Sequence, residues 1–286
     1  MPAAKPSGYV AFMLFAIALV LLSYFLFKNG GSLAQIKQGF FRFMVGQETS
    51  LRTGTWEKFE TPHFNIKYQP VDEYCVSLIS EAAEEAYIKV SEQMGGRTHF
   101  QSITIVVYPD NASLAASFGW DKNEKALGVY WGGTIRILSP HAWLANPGMQ
   151  ERFFKEGPMV HELAHLMVDE MSRGNYNRWW TEGVAQYTER IITGFEFSSP
   201  FRKRGDLYYY QLDNLEKNFD RLEQAVAYWE SLQAVDYIVG AYGEDKINQI
   251  LNRLSKGDTM PRALENALGV DYAIFSLDFY RYLEDQ

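Results

Sequence analysis

The sequence predicts an α+β fold: a small mixed or antiparallel sheet with an edge hairpin, then a mainly helical half, preceded by one N-terminal transmembrane helix. Three observations predict it. Short alternating or β-branched runs are confined to the segment before residue 140. Almost every segment after residue 149 has helical character, punctuated by Gly or Pro at 157–158, 174, 194, 200, 205, 243, 257 and 269. Strands first and helices later give an α+β domain, not a doubly wound sheet. Finally, Tyr9 to Phe27 is an apolar run without a charge.

That run of nineteen residues comes close to spanning a ~30 Å hydrocarbon core at ~1.5 Å per residue. It has no polar face, so a buried core helix is the weaker reading. A cleaved signal peptide is the rival, with Ser32-Leu33-Ala34 as a small-x-small site. Residues 1–8 form a short tail and 9–27 the expected anchor. With only eight residues ahead of the span, the body is expected outside the cytoplasm, although flanking Lys5, Lys28, Lys37 and Arg42 do not themselves decide orientation. Residues 28–58 read as a linker or stalk. Its stretch LAQIKQGFFRFMV suits either an amphipathic helix on lipid headgroups or a helix packed on the domain.

The body, residues 59–286, opens with HFNIKY (63–68), which alternates as a strand does. Pro70 ends it, and 72–94 is rich in Glu and Ala, as helices are, up to Gly95-Gly96. SITIVVY (102–108) is a β-branched strand stopped by Pro109. Residues 111–118 suit a short helix capped by Asn111. ALGVYW (126–131), Gly132-Gly133 and TIRIL (134–138) read as a hairpin.

Composition narrows the function. Aromatics make up 15% of the chain, which excludes a disordered polypeptide. One cysteine, Cys75, excludes both a disulfide scaffold and a cysteine-ligated zinc site. The net charge is −8, and residues 51–286 carry nearly all the acidic side chains. An acidic body argues against a nucleic-acid partner, whose phosphates need neutralising.

Residues 161–165 are His161-Glu162-Leu163-Ala164-His165. On a helix, i and i+4 share a face, so two imidazoles can bind one Zn²⁺. Glu162, offset by one residue, can reach a water on that ion without ligating it, which is what a general base needs. The flanking Met159, Val160, Leu163, Ala164, Leu166 and Met167 make the segment apolar, and buried histidines and a carboxylate there need a partner such as a metal. No histidine follows His165, so the third ligand must be acidic: Asp169, Glu170, Glu182 or Glu189. Asp169, one turn past His165 on the same rod, is suited to orienting an imidazole rather than closing a tetrahedron. Glu182 heads an apolar helix, and Gly183 behind it would let that helix approach the histidine helix. Glu182 is the expected third ligand, its other reading being a carboxylate complementing a helix dipole.

HELAH followed by WWTEGVAQY resembles the gluzincin metallopeptidases, and specifically the small bacterial peptidase MA-like proteins. The resemblance runs from about residue 61 to 284 and takes in TPHFNIKY, SITIVVYPDNASLAASFGW, ALGVYWGGTIRIL and YWESLQAVDYIVGAYGEDKINQIL. It implies a zincin-like fold of gluzincin type, one zinc ion held by His161, His165 and Glu182, Glu162 as catalytic base, and a peptide or protein substrate. In such enzymes an extended substrate pairs with the edge strand, so TIRIL (134–138) is the expected substrate strand. The late helix resembles that of the aminopeptidase branch, where a Tyr hydrogen-bonds the oxyanion; Tyr228, fifteen residues before Gly243, matches it, core packing being its alternative.

The chain departs from the pattern in three ways. Sixteen residues separate His165 from Glu182, fewer than is common in the aminopeptidase branch. The GxMEN motif is missing, which favours an endopeptidase. Gln186 stands where some gluzincins place an Asp that holds a zinc-bound histidine. The other function class is a catalytically weak or inactive zinc-binding module acting at the membrane.

Overall fold

The computed structural model describes residues 33–95, 102–144, 149–203 and 206–285. The apolar run 9–27 lies outside them, and no helix among the described residues is long and apolar enough to cross a membrane.

Helix α1 (Leu33–Arg52) leads into β1 (Glu57–Glu60), a strand across the boundary between the expected stalk and the body that its exposed, charged sequence EKFE did not announce. β2 (Phe64–Tyr68) follows, then a 3₁₀ turn (Pro70–Cys75) and α2 (Val76–Gln93). Pro70, lacking an N–H, sits at the first turn and begins the helical segment earlier than expected but in the tighter form. β3 (Ile103–Tyr108) precedes α3 (Asn111–Phe118). Its cap is Asp110, whose carboxylate accepts from Ser113 N at 2.8 Å, and not Asn111. β4 (Gly128–Trp131) and β5 (Thr134–Leu138) form the hairpin. Gly132 and Gly133 both take positive φ, 51° and 87°, as a two-residue turn matched to strand twist requires.

The five strands lie in the order β1-β2-β3-β5-β4. β2, β3 and β5 are parallel neighbours, while β1 and β4 pair antiparallel at the two edges, so the sheet is mixed. Sequence position alone does not tell that the hairpin folds back with its first strand outermost. TIRIL is therefore an interior strand, buried at every residue, and the expectation of a substrate strand there is corrected: the edge on that side of the sheet belongs to β4. The β-branched strand takes the buried position and the Gly-containing GVYW the rim.

Alternation along β3 splits the packing. Ile103, Ile105 and Val107 join Phe64, Ile66, Ile135 and Ile137 in the main core with the helices. Val106 and Tyr108 turn to the other face, with Leu114 and Leu138. The helical half comprises α4 (Met149–Glu156), α5 (Met159–Ser172), α6 (Arg178–Thr193), α7 (Leu212–Asn218), α8 (Gln224–Tyr242), α9 (Asp245–Ser255), α10 (Met260–Leu268) and α11 (Tyr272–Asp285). α6 is sandwiched between α5 and α8. A Cβ on Gly183 would lie 2.3 Å from Ser231 O and 2.8 Å from Val235 Cγ2, so Gly183 opens α6 to α8 rather than to the histidine helix.

Candidate metal centre

α5 begins directly after Pro158, whose fixed φ suits a helix start, and ends at Arg173 in the left-handed region. Its HELAH turn faces α6, where Glu182 sits at the fifth position. Glu182 Oε2 lies 3.6 Å from His161 Nε2 and 3.4 Å from His165 Nε2. A tetrahedral zinc with ~2.0–2.1 Å bonds would hold its ligand atoms about 3.3–3.4 Å apart, so each imidazole nitrogen stands from Glu182 Oε2 close to the spacing a shared metal requires.

The remaining valences of these groups are already used. His161 Nδ1 meets Glu189 Oε2 at 3.0 Å and His165 Nδ1 meets Thr181 Oγ1 at 2.7 Å. With the Nδ1 protons there, both Nε2 atoms present lone pairs to the same point. Glu182 Oε1 accepts from Arg178 Nε at 3.1 Å and from the Tyr228 hydroxyl at 3.0 Å. Glu182 Oε2 is buried without a hydrogen-bond partner. A buried carboxylate oxygen left bare between two imidazole nitrogens is costly unless a cation takes it. His161, His165 and Glu182 are also the one triplet of such side chains, among the described residues, whose donor atoms converge well enough to hold a metal ion.

Glu162 is buried on the same turn, and its Oε2 accepts from Tyr130 N at 2.5 Å. Burial pushes its carboxyl above the usual range, against the pull of His161 and His165. Burial likewise disfavours the Glu182 anion, but its neighbours His165 and His161 outweigh burial and hold its carboxyl well below that range. Tyr228 is pushed up to about 12 by burial and by the Glu182 charge, so its hydroxyl stays a donor.

The edge strand reaches this centre through a steric gap. A Cβ on Gly128 would lie 2.4 Å from Pro158 Cβ and 3.1 Å from Glu162 Cγ. Only glycine lets β4 rest on the start of α5. Leu127 O accepts from Leu138 N toward β5, so the alternate residues Gly128 and Tyr130 turn their backbone groups to the outer edge.

The structure thus brings His161, Glu162, His165, Glu182 and Tyr228 together. It assigns other expected residues elsewhere. Asp169 orients no imidazole; it pairs with Arg42 of α1 and accepts from the Tyr130 hydroxyl. Glu170 pairs with the same arginine. Gln186 Nε2 donates to Glu182 O at 3.2 Å and Tyr228 O at 2.9 Å, tying α6 to α8. The histidine partner expected near position 186 is instead Glu189, two turns after Glu182 on the same face. Thr181, Arg178 and Tyr130 had no local signal.

A sheet with a β4 edge beside a helix bearing two histidines and a glutamate, closed by a carboxylate from the next helix, defines a metallopeptidase-like protein. The chain belongs to the Peptidase MA superfamily, whose family model matches residues 82–284. No curated protein matches the chain.

Proposed function

We propose that the protein is a membrane-anchored, zinc-dependent metallopeptidase of the gluzincin type, acting as an endopeptidase. The observation that carries the reading is the bare Glu182 Oε2, aimed with two Nε2 atoms at one point, beside the buried Glu162. Residues 9–27 serve as a single-pass anchor, with the domain on the extracytoplasmic side.

His161, His165 and Glu182 would hold the zinc ion, which supplies Lewis acidity and lowers the pKa of bound water to about 7. A polypeptide adds as a strand along β4, using the outward backbone groups of Gly128 and the Tyr130 carbonyl, while Tyr130 N–H stays with Glu162. Glu162, its proton affinity raised by burial, takes the proton from the attacking water and delivers it to the leaving amine. The Tyr228 hydroxyl, now on Glu182, turns to the carbonyl oxygen as negative charge builds there. Thr181 and Glu189 keep the imidazoles in register and in the tautomer that leaves Nε2 free. The absent GxMEN motif favours internal over terminal cleavage.

A second reading, a zinc-holding interaction module without turnover, draws on one contact: Tyr130 N–H occupies an oxygen of Glu162. The deciding experiment is metal analysis of the purified chain together with a broad peptide-cleavage profile. Stoichiometric zinc with cleavage supports the peptidase; zinc without cleavage favours the module; no zinc overturns both.

A further inference from the structure

Helix α1 carries its polarity the wrong way round for a surface helix. Such helices normally turn their apolar stripe to the core and their polar face outward. Here the positions that meet the domain are largely polar. Gln38 Nε2 donates to Asp169 O at 2.9 Å. Arg42 pairs with Asp169 and Glu170, and its Nη2 also reaches the Tyr130 hydroxyl at 3.0 Å. Glu48 Oε2 accepts from the buried Arg136 of β5 at 2.6 Å, and Thr49 is buried beside it. Val45, packed over the Gly132 turn, is the apolar member of this face.

The outer face is apolar. Phe40 is 66% exposed, Phe43 61% and Met44 51%, and Leu51 also points away. At about 100° per residue, positions 40, 43, 44 and 51 lie on the side of the helix roughly opposite 38, 42, 45 and 49. On the shoulder between the two faces, Phe41 meets Trp131 edge-to-face at 5.2 Å, and both rings are about two-fifths exposed. Trp131 is the last residue of β4, so the apolar surface runs from α1 onto the edge strand. Contiguous exposed surface of this kind marks a contact, not a chance hydrophobe.

The chain itself points to the occupant. Five residues, 28–32, separate α1 from the uncharged run 9–27, and so short a connection spans at most about 18 Å. Lys28 precedes α1, and exposed Lys37 stands among the outward rings, the arrangement of basic and aromatic groups favoured at lipid headgroups. We propose that the outer face of α1, continued by Phe41 and Trp131, lies in the headgroup region of the lipid bilayer and carries β4 at the membrane surface. The polypeptides presented to β4 are then segments at the membrane surface. This substrate class rests on the peptidase reading; the lipid contact does not.

The test uses the full chain in phosphatidylcholine–phosphatidylglycerol vesicles with brominated acyl chains. Single bimane labels are placed at Phe43→Cys, Met44→Cys, Val20→Cys and, as a control on exposed α11, Leu277→Cys, in a Cys75→Ala background. Quenching at 43 and 44 but not at 277 is expected. Quenching at 20 alone keeps the anchor and overturns the interfacial helix. Quenching at 43 and 44 without 20 keeps the interfacial helix and removes the anchor. Labels at 43 that are shielded from lipid and crosslink between copies assign the face to a second chain and overturn the proposal. A second arm compares hydrolysis of one peptide, free or lipid-tethered to the vesicle. Wild type should favour the tethered form by at least about tenfold, the gain expected from effective concentration at a surface. Phe40→Asp with Phe43→Asp should lose that preference while cleaving free peptide normally. A preference retained by the double variant shows that the face of α1 does not carry β4 to the surface and overturns that part of the proposal; no preference in wild type overturns the surface-directed substrate class; cleavage of neither form overturns the peptidase reading and the substrate class with it, leaving the quenching to read the lipid contact alone.

Discussion

Tyr130 donates its main-chain N–H to the Glu162 carboxylate at 2.5 Å, so the edge strand and the HELAH helix meet at the acid beside the metal ligands and not at a ligand itself. The ring of the same tyrosine reaches two turns further along α5, where its hydroxyl donates to Asp169 and accepts from Arg42. One edge-strand residue therefore ties both halves of α5, and α1 closes the tie. The position of Glu162 is set by the sheet as much as by its own helix.

Glu162→Gln should retain zinc and lose peptide hydrolysis by at least ~10²-fold, the usual scale of general-base catalysis. Gln keeps the volume and one acceptor for Tyr130 N–H but cannot take a proton from water. Metal content and turnover are measured on the same preparation. Normal cleavage by the variant would remove Glu162 from the mechanism.

Glu182→Gln should release zinc, as should His161→Ala or His165→Ala, because two ligands do not hold a closed site. Asp169→Asn should leave zinc in place, since Asp169 contacts Arg42 and Tyr130 and no imidazole. Competition with a chelator ranks the affinities. Release by Asp169→Asn with retention by Glu182→Gln would reverse the ligand assignment.

Thr181→Val and Glu189→Gln test the groups behind the imidazoles. Each should weaken zinc affinity by ~10–100-fold without unfolding the chain, the usual cost of losing a hydrogen bond that orients a ligand. Equal affinity in both variants would show that α5 alone orients the rings.

Gly128→Ala is expected to destabilise the fold, because its methyl would overlap Pro158 Cβ at 2.4 Å. Forcing β4 off α5 should cost about 1–3 kcal/mol, as overpacking does, and weaken the hold of Tyr130 on Glu162. Thermal unfolding reads the first effect and the rate of cleavage the second. An unchanged melting temperature would mean that the strand has room to shift.

Glu230 on α8 is fully buried; one oxygen accepts from Tyr210 N at 2.6 Å and the other lies 3.0 Å from the Tyr280 hydroxyl. Burial pushes its carboxyl up to about 8. The folded pKa lies above the unfolded value of ~4.3, so the folded state binds the extra proton and stability falls as pH rises between the two values. Glu230→Gln should match wild type at acidic pH and be the more stable form above about pH 8, by a few kcal/mol. The amide can accept from Tyr210 N and donate to the Tyr280 oxygen, whose own proton goes to Tyr210 O at 2.9 Å. Denaturant unfolding across pH checks this, and parallel curves for the two proteins would contradict it.

What the chain determines by itself is what lies within a few turns of helix or one strand. His161, Glu162 and His165 are legible because an i, i+4 pair on a helix has one geometry, whatever surrounds it. The helix carrying Glu182 was readable from its apolar start, and the hairpin from Gly132-Gly133. Even Glu189, two turns from Glu182, was within reach of the same argument. The tertiary structure decided the rest, because those choices depend on which distant surfaces meet. Strand order is such a choice: hairpin pairing is local, but whether β4 or β5 faces β3 depends on which buries more apolar surface in the finished sheet, and TIRIL does. Gly183 is another, since the neighbour that needs its missing side chain is Ser231, on a helix that no local pattern pairs with α6. Arg42 is the clearest case. Alone it is one charge on an aromatic helix, and it becomes the counterion of buried Asp169 only when a segment more than a hundred residues away folds beside it.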